Sequence, residues 1–544
     1  MKKFFLFILV FVTILATDSF AQLVPADSVI TGDITSTRSL NSSKRYLLSG
    51  FVKVKSGATL IIPAGTIIMG EKNSKGTLII ERGGYLRAEG TAQRPIVFTS
   101  QSLPGQRGPG DWGGIIIAGR ASLNVPGGEA TLEGGTSTTY GGGSSPNDND
   151  SSGVLRYVRI EFPGIAFQPD NEINGLTLGG VGRKTVIEYV QVAHSGDDSF
   201  EWFGGTVNGK YLIAIGGVDD DFDVDFGFNG NIQFAISMRD PNVADISGSN
   251  GIESDNDGTG TYNSPRTRPI FSNLSLIGPM ADTSATRNPN YRRGTHIRRS
   301  SQTSLYNSLV MGWPTAALFD GSGVAGGANG DTLQVRNTIY AGLRFNNGIT
   351  TNASGFNVQN WFNTAAYGNR SYVQPSEVGM VDAFNLTNPN PIPGAGSVAA
   401  TGADFTNPRL VGSFFTPTTY VGAFGPSTTP RWDAGWANYN AQNTDYTVVS
   451  VDDEIRLSSY SMDQNYPNPF NPATTISFSI PVRSDVSVKV YDITGKLVSE
   501  LATGIFEAGS HQVQFNASEL ASGVYMYQMI AGKNVVTKKM TLIK

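Results

Sequence analysis

The sequence predicts an all-β protein, a parallel β-helix solenoid followed by a small C-terminal antiparallel β-sandwich. Three observations predict it. Short β-type runs recur through the middle of the chain, each closed by glycine or a polar turn, and almost nothing has the periodicity of an amphipathic helix. Aromatic and asparagine residues return at matching places in those runs, at variable spacing. The last 80 or so residues change character, to strands of strict alternation joined by tight turns.

The chain opens with Met1, Lys2 and Lys3, then an uncharged run from Phe4 to Ala16, then Ser19-Phe20-Ala21 as a small-x-small cleavage site. This pattern predicts a secretory signal peptide over residues 1–21. No later stretch approaches the roughly 18 uninterrupted apolar residues of a membrane helix, so no transmembrane segment is expected in the mature protein. Cysteine is absent, which removes a disulfide framework as the source of stability outside the cell. A net charge of −5 and a pI near 5.4 leave no basic stripe to displace counterions from phosphates, which excludes nucleic acid as a partner.

Residues 22–350 carry the solenoid signal, in runs such as "GTLIIERGGYLRAEG", "LRYVRIEFPG", "IEYVQVAHSG" and "KYLIAIGG". Tyr157, Tyr189 and Tyr211 hold matching places, and so do Asn273, Asn307 and Asn337. Variable spacing around a constant strand core predicts coils stacked in one direction with insertions looping outward. "GGGSSPNDNDSSG" (141–153) reads as such an insertion. The asparagines fit either a stacked side-chain ladder or turn formation. Residues 351–440, rich in Asn, Pro, Gly and Thr, are expected to be irregular and to pack on the last coils, with Trp432 and Trp436 as caps. Residues 441–459 read as a linker into the terminal sandwich at 460–544.

That terminal segment sets Pro467, Pro469 and Pro472 among asparagines, then alternates Ile476, Phe478 and Ile480, and later Val486, Val488 and Val490, with polar residues. Its Asn465-Tyr466-Pro467-Asn468-Pro469-Phe470-Asn471-Pro472, Val490-Tyr491-Asp492-Ile493-Thr494-Gly495, Gly523-Val524-Tyr525 and closing Lys538 to Lys544 resemble the C-terminal sorting domain of type IX secretion cargo from the Bacteroidota. The resemblance implies the type IX secretion machinery as a partner and delivery to the outer cell surface or beyond. The central "GDWGGIII", "NEINGLTLGGVG" and "GDDSFEWFGGTV" also resemble a group of uncharacterised secreted Bacteroidota surface proteins, a resemblance that supplies no activity.

Function is best sought where a chain only 16% charged concentrates its acids. "GDDSFEWFGG" (196–205) and "VDDDFDVDFGFNG" (218–230) hold eight carboxylates. Placing Tyr189 over Tyr211 puts Asp197 over Asp219, Asp198 over Asp220 and Glu201 over Asp223. Adjacent strands lie about 4.8 Å apart. Alternation in "DFDVDFGF" turns Phe222, Val224 and Phe226 inward and Asp223 and Asp225 outward. The outward face is then expected to gather Asp197, Asp198, Glu201, Asp219, Asp220, Asp221, Asp223 and Asp225.

Carboxylates that close ionise together only if a cation neutralises them. An oxygen-only set suits calcium, which accepts six to eight oxygens. With no cysteine and only His194 nearby, zinc does not fit. "ESDNDGTG", with Glu253, Asp255, Asn256 and Asp257, is a second cation candidate without full EF-hand spacing. A solvated acidic loop without an ion accounts for the same composition.

Two enzymatic patterns compete with attachment or glycan binding. Parallel β-helix pectate lyases hold calcium on aspartates and use an arginine as base, and Arg239 opens the turn after "NIQFAIS". The resemblance in outline makes a calcium-dependent polysaccharide lyase the enzymatic alternative, with Arg239 as the catalytic candidate. The "GDD" at 196–198 resembles a polygalacturonase element, but the Gly-His-Gly and Arg-Ile-Lys elements of that family are missing.

Overall fold

The structure is a computed structural model that describes residues 23–168, 171–343, 348–447 and, from 460 onward, all but 463, 466, 481, 482, 507 and 508. The signal-peptide segment 1–21, Tyr466 and the linker from 448 to 459 lie outside the described residues. Two compact units divide between Val449 and Ser450.

The first unit is a parallel β-helix. The strands Gly153–Glu161, Val186–Ala193, Asn208–Ile215, Asn231–Met238 and Ile270–Ile277 stack parallel, one per coil. A second column runs Ile115–Ala118, Leu176–Gly179, Phe200–Phe203, Phe222–Asp225, Ile252–Ser254 and Arg293–Ile297. Inward residues from successive coils, such as Leu155, Ile187, Phe200, Trp202, Phe222 and Val224, are wholly buried and fuse into one continuous apolar core.

One residue per coil turns the corner of the long strands. Tyr157, Tyr189, Tyr211, Phe234, Asn273, Asn307 and Asn337 have φ between +51 and +62 and occupy equivalent places. In a flat strand alternate residues face one side, so after Leu155 the next inward position is 157. The left-handed residue rotates Tyr157 outward instead, and Val158 and Ile160 enter the core. A left-handed conformation costs an ordinary residue about 1–2 kcal/mol, least for asparagine. The tyrosines offset that cost by stacking, with ring centroids 4.3 Å apart from Tyr157 to Tyr189 and from Tyr189 to Tyr211, an arrangement worth about 0.5–1.5 kcal/mol per pair. The two repeat series are therefore one ladder, joined through Phe234.

The asparagines are used differently from a mutual ladder. Asn337 Nδ2 donates to Gly402 O, Asn307 exchanges bonds with the backbone of Asp404, and Asn273 Nδ2 reaches Thr418 Oγ1 and Tyr420 O. Their acceptors lie on an irregular strap that runs back along the solenoid. Gln233 pairs with the Thr416 backbone, Lys210 donates to Phe414 O, Gln191 pairs with the Asn438 backbone, and Arg107 donates to Ala441 O. Residues 402–447 thus do not stop on the last coils as expected; they reach the first ones, where Arg45 bonds Thr447 O. Nor are Trp432 and Trp436 terminal caps. Trp436 is wholly buried with its ring edge-on to Tyr157 and Tyr189, and Trp432 packs on Tyr211.

The second unit packs a three-stranded and a four-stranded antiparallel sheet. Ile476, Phe478, Ile480, Val486, Val488 and Val490 all fill its core, as alternation requires. Asn465 is buried, its amide nitrogen donating to Pro467 O and Thr474 Oγ1, and Phe470 is buried beside it. Pro467, Asn468, Pro469, Asn471 and Pro472 stay exposed.

Trp436→Ala should cost about 3–5 kcal/mol, because the cavity opens under a strap that cannot collapse onto the coil corner. Chemical denaturation followed by far-ultraviolet circular dichroism measures this, and an unchanged midpoint would show that the strap contributes nothing to the solenoid.

Candidate metal centre on the acidic face

Three consecutive coils build the site. Phe200 and Trp202, Phe222 and Val224, and Ile252 point into the core, which leaves Glu201, Asp223 and Glu253 on the outer side of their strands. The register stacks them directly, Glu201 on Asp223 and Asp223 on Glu253. The turn before each strand forms a second ladder. Asp198 Oδ1 accepts from the Asp220 amide at 2.8 Å, and Asp220 accepts from the Asn250 amide. Gly196 makes the first of these turns possible, since a Cβ there would meet Gly164 O at 2.5 Å and Gly110 N at 2.9 Å. That close backbone approach accounts for the glycine of "GDD".

The result is three overlapping carboxylate triplets, each with its oxygens within 4.8 Å of one another. They are Asp197, Asp198 and Asp219; Asp198, Glu201 and Asp223; and Asp220, Asp223 and Glu253. Asp198, Glu201 and Asp220 are more than nine-tenths buried. Burial first, and the neighbouring carboxylates second, push Asp197, Asp198, Glu201, Asp220 and Asp223 well above the usual carboxylate range. Burial and Asp245 push Asp219 up to about 6.

Oxygens remain for a further partner. Asp223 Oδ1 and Asn250 Oδ1 are buried without a hydrogen bond, while the Asn250 amide nitrogen lies 3.4 Å from Asp220 Oδ2 and 3.2 Å from Glu253 Oε2. Asn174 Nδ2 donates to Glu201 and lies 3.4 Å from Glu133 Oε1. This donor set is hard and rich in carboxylate, the chemistry that fits calcium.

The face does not hold all eight expected acids. Asp221 is wholly buried and its Oδ1 accepts from Arg239 Nη1 at 2.8 Å, so it belongs to an internal ion pair. Asp225 lies outside the three triplets and accepts from its neighbour's amide, Phe226 N; burial raises it to about 7. Phe226 is not an inward core residue either. It turns left-handed at φ +49 and packs on Phe203.

Arg239 is equally buried, donates also to Val218 O, and lies over the Tyr291 ring. Burial works against its charge, but Asp221 outweighs this and holds the proton more tightly than usual. It is a strut of the coil and is not placed to take a proton from a substrate.

The second candidate, "ESDNDGTG", divides. Only Glu253 joins the acidic face. Asp255 pairs with Arg298 and Arg299, Asn256 binds the backbone at Thr261 and Asn263, and Asp257 closes its own turn through Thr259 and Thr261. Glu253 is the charged boundary of the cluster. Burial alone would raise it, yet His296 at 3.3 Å and Arg298 hold it below the ordinary range.

Sequence reasoning missed Asn250 and set Glu253 in a separate candidate instead of on this face. The signal was present as the repeated spacing "DSFE", "DDFD" and "NGIE", hidden by the loop that lengthens the third coil.

Fold and site together define a secreted β-helix protein with a buried acidic face on its middle coils. The chain belongs to the pectate-lyase like beta helix domain family, whose model matches residues 32–375. Residues 464–544 match a secretion system C-terminal sorting domain, which marks the chain for export to the cell surface or beyond. No helix among the described residues is long and apolar enough to cross a membrane. Among curated proteins none matches the chain. One solved structure, the enzymatically active domain of bacteriophage CBA120 tailspike protein 2, is similar at 11% identity over 91% of this chain and 72% of that one. Its TM-score of 0.23 is too low to bear on fold or activity.

Two outcomes follow. Asp221→Asn leaves Arg239 charged and unpaired in the core and should cost about 3–5 kcal/mol, whereas Asp221→Leu with Arg239→Met should recover most of it; equal thermal melts for the single variant and the parent would contradict the pairing. Deleting residues 460–544 should retain the protein inside the outer membrane, and surface labelling that still finds it outside the cell would contradict the role of the tail.

Proposed function

We propose that the acidic face takes up calcium and that the loaded face serves attachment of this secreted protein to extracellular glycan. The observation that carries this reading is the overlap of the three triplets, in which Asp198 and Asp223 are each shared by two sets. Carboxylates so placed are relieved either by protons or by a cation. At neutral pH outside the cell a hard divalent cation is the stronger competitor, and calcium tolerates the six to eight oxygens and irregular geometry that stacked turns provide. A calcium ion held at a coil surface can complete its shell with sugar hydroxyls or carboxylates.

A calcium-dependent polysaccharide lyase is the second reading, favoured by the description of the matching family. It needs a free base beside the cation. Arg239 is locked in the core, and Arg298, Arg299 and His296 are each already paired with carboxylates. Attachment is therefore the better supported of the two.

The test is a reversal of sign. In calcium, Asp220→Asn with Asp223→Asn should lower both metal affinity and melting temperature, since a cation bound only by the folded state stabilises by about 2.7 kcal/mol at a hundredfold excess over Kd. In chelator the same double variant should be neutral or stabilising, because two repelling charges are gone.

The parent should also show an inverted pH profile in chelator. Asp219, raised to about 6, binds its proton more tightly folded than unfolded, so stability is full below the unfolded value near 3.8 and is lost as pH rises through about 6. The acids raised further extend that loss upward. His194, pushed down by burial, acts in the opposite sense, and so do the carboxylates held low, Glu253 and Asp257, whose contribution is lost only as pH falls through the acid range at and below the lower end of the window of Asp219. Parent and variant melting alike in calcium, with no heat of calcium binding, would leave a solvated acidic face and defeat the reading.

A further inference from the structure

Beyond the acidic face, two contiguous cavities lie beside the helix Ser322–Asn329. One, of about 320 Å³, is lined by Tyr262, Arg266, Gln302, Gly323, Gly326 and Gly327. The other, of about 450 Å³, has Arg298, Arg299, Ser300 and the carboxylate Asp320 in its wall and shares Gly323 with the first. Both volumes fall in the range of small-ligand sites.

Gly326 is the telling residue. Glycine inside a helix costs about 0.5–1 kcal/mol relative to alanine. Gly323 has a packing reason to be glycine, since a Cβ there would meet Ser300 Oγ at 2.2 Å. Gly326 has none. Its φ is not positive, and a Cβ would have nothing within 4 Å. What the missing side chain leaves is an open, smooth floor.

The walls indicate what covers that floor. Tyr262 is 69% exposed, an unusual exposure for a flat aromatic ring. Arg266 stands over it with Cζ 4.4 Å from the ring centroid. Among the described residues Arg266 forms no ion pair, and its Nε is buried without a partner. Asp257 is the nearby carboxylate and Thr261 O lies 3.4 Å from Nη1, but no ion pair closes the guanidinium, and its unbonded edge can take an oxyanion in the bidentate fashion that its planar fork favours.

We propose that the double cavity binds a saccharide bearing a carboxylate or sulfate group, one ring laid against Tyr262 over the Gly326 floor and its acid group on Arg266. The next unit of the chain extends toward Arg299, whose side chain is 41% exposed although it bonds Asp255. Arg298 and Arg299 stand between this channel and Glu253 and Asp255, and so screen an anionic ligand from the acidic face. The inference deepens the glycan-attachment reading and rests on that part of it, not on the metal.

The test uses the whole secreted chain in chelator, titrated calorimetrically with an oligogalacturonate, a sulfated oligosaccharide and a neutral gluco-oligosaccharide. One anionic probe should bind at least tenfold more tightly than the neutral one, and which one distinguishes carboxylate from sulfate. Gly326→Gln should lose at least tenfold in affinity with a melting temperature equal to or above the parent's, since it adds a good helix former to an exposed turn. Arg266→Gln should abolish the anionic preference, and Tyr262→Ala should weaken every probe. Failure of both anionic probes to bind, or unchanged binding in Gly326→Gln and Arg266→Gln, overturns the proposal. Calcium titrated alone answers the other question separately. A chain that takes calcium but neither anionic saccharide loses only this site, and one that binds the saccharide without taking calcium loses only the acidic-face reading.

Discussion

In-register stacking of parallel coils is the constraint on which the rest of this molecule depends. Every coil places its residues about 4.8 Å from their equivalents above and below, so whatever a position holds, it meets a copy of itself or a substitute. Where the copies are tyrosines, repetition is favourable, and centroid distances of 4.3 Å along Tyr157, Tyr189 and Tyr211 give offset stacking that compensates left-handed backbone. Where the copies are carboxylates, the same geometry is repulsive. The two best-ordered ladders of the solenoid are therefore one physical device with opposite signs of energy, and only the aromatic one explains itself by stability.

The strap follows from the same constraint. A corner of left-handed residues presents side chains and backbone groups that the sheet ladders do not satisfy, and buried polar groups of this kind need partners. Asn273, Asn307 and Asn337 supply an amide on each coil, which bonds the backbone or a threonine of residues 402–422. Farther back the aromatic corners meet Trp432 and Trp436 instead. The strap thus reads the corner residue of each coil in turn, polar against asparagine and apolar against tyrosine. It ties distant coils together in a fold whose stability is otherwise summed between neighbours.

Much of this was legible in sequence, and the limits have physical causes. The tyrosine and asparagine series stood out because stacked positions demand similar residues. Their union did not, because Phe234 joins them by a backbone requirement, a positive φ, that composition does not display. The pairing of Glu201 with Asp223 was readable from a 22-residue offset, whereas Asn250 sits 30 residues beyond Asp220 and its register is concealed by the intervening loop. Asp221 was assigned to the face by proximity in sequence, but a residue at a strand entrance is free to turn inward when a buried arginine waits there. The strap was least legible of all, since its bonds go to side chains of other segments and leave no periodic trace in its own sequence.

The acidic ladder is also bounded in a way a solvated loop would not need. One coil before Glu201 the same strand position is Thr177, and the turn position is Asn174 in place of an aspartate. One coil after Glu253 the position is His296, which lies between Glu253 and Asp320. The ladder carboxylates therefore occupy three coils, ending at a histidine backed by Arg298 on one side and at Thr177 and Asn174 on the other, where Glu133 and Glu172 from outside the ladder still add to the negative field. Water alone would screen a longer or shorter run equally well. Between those ends, with more than nine-tenths of Asp198, Glu201 and Asp220 buried, the carboxylates gather into triplets whose oxygens lie within 4.8 Å of one another, the distance over which one or two small cations act.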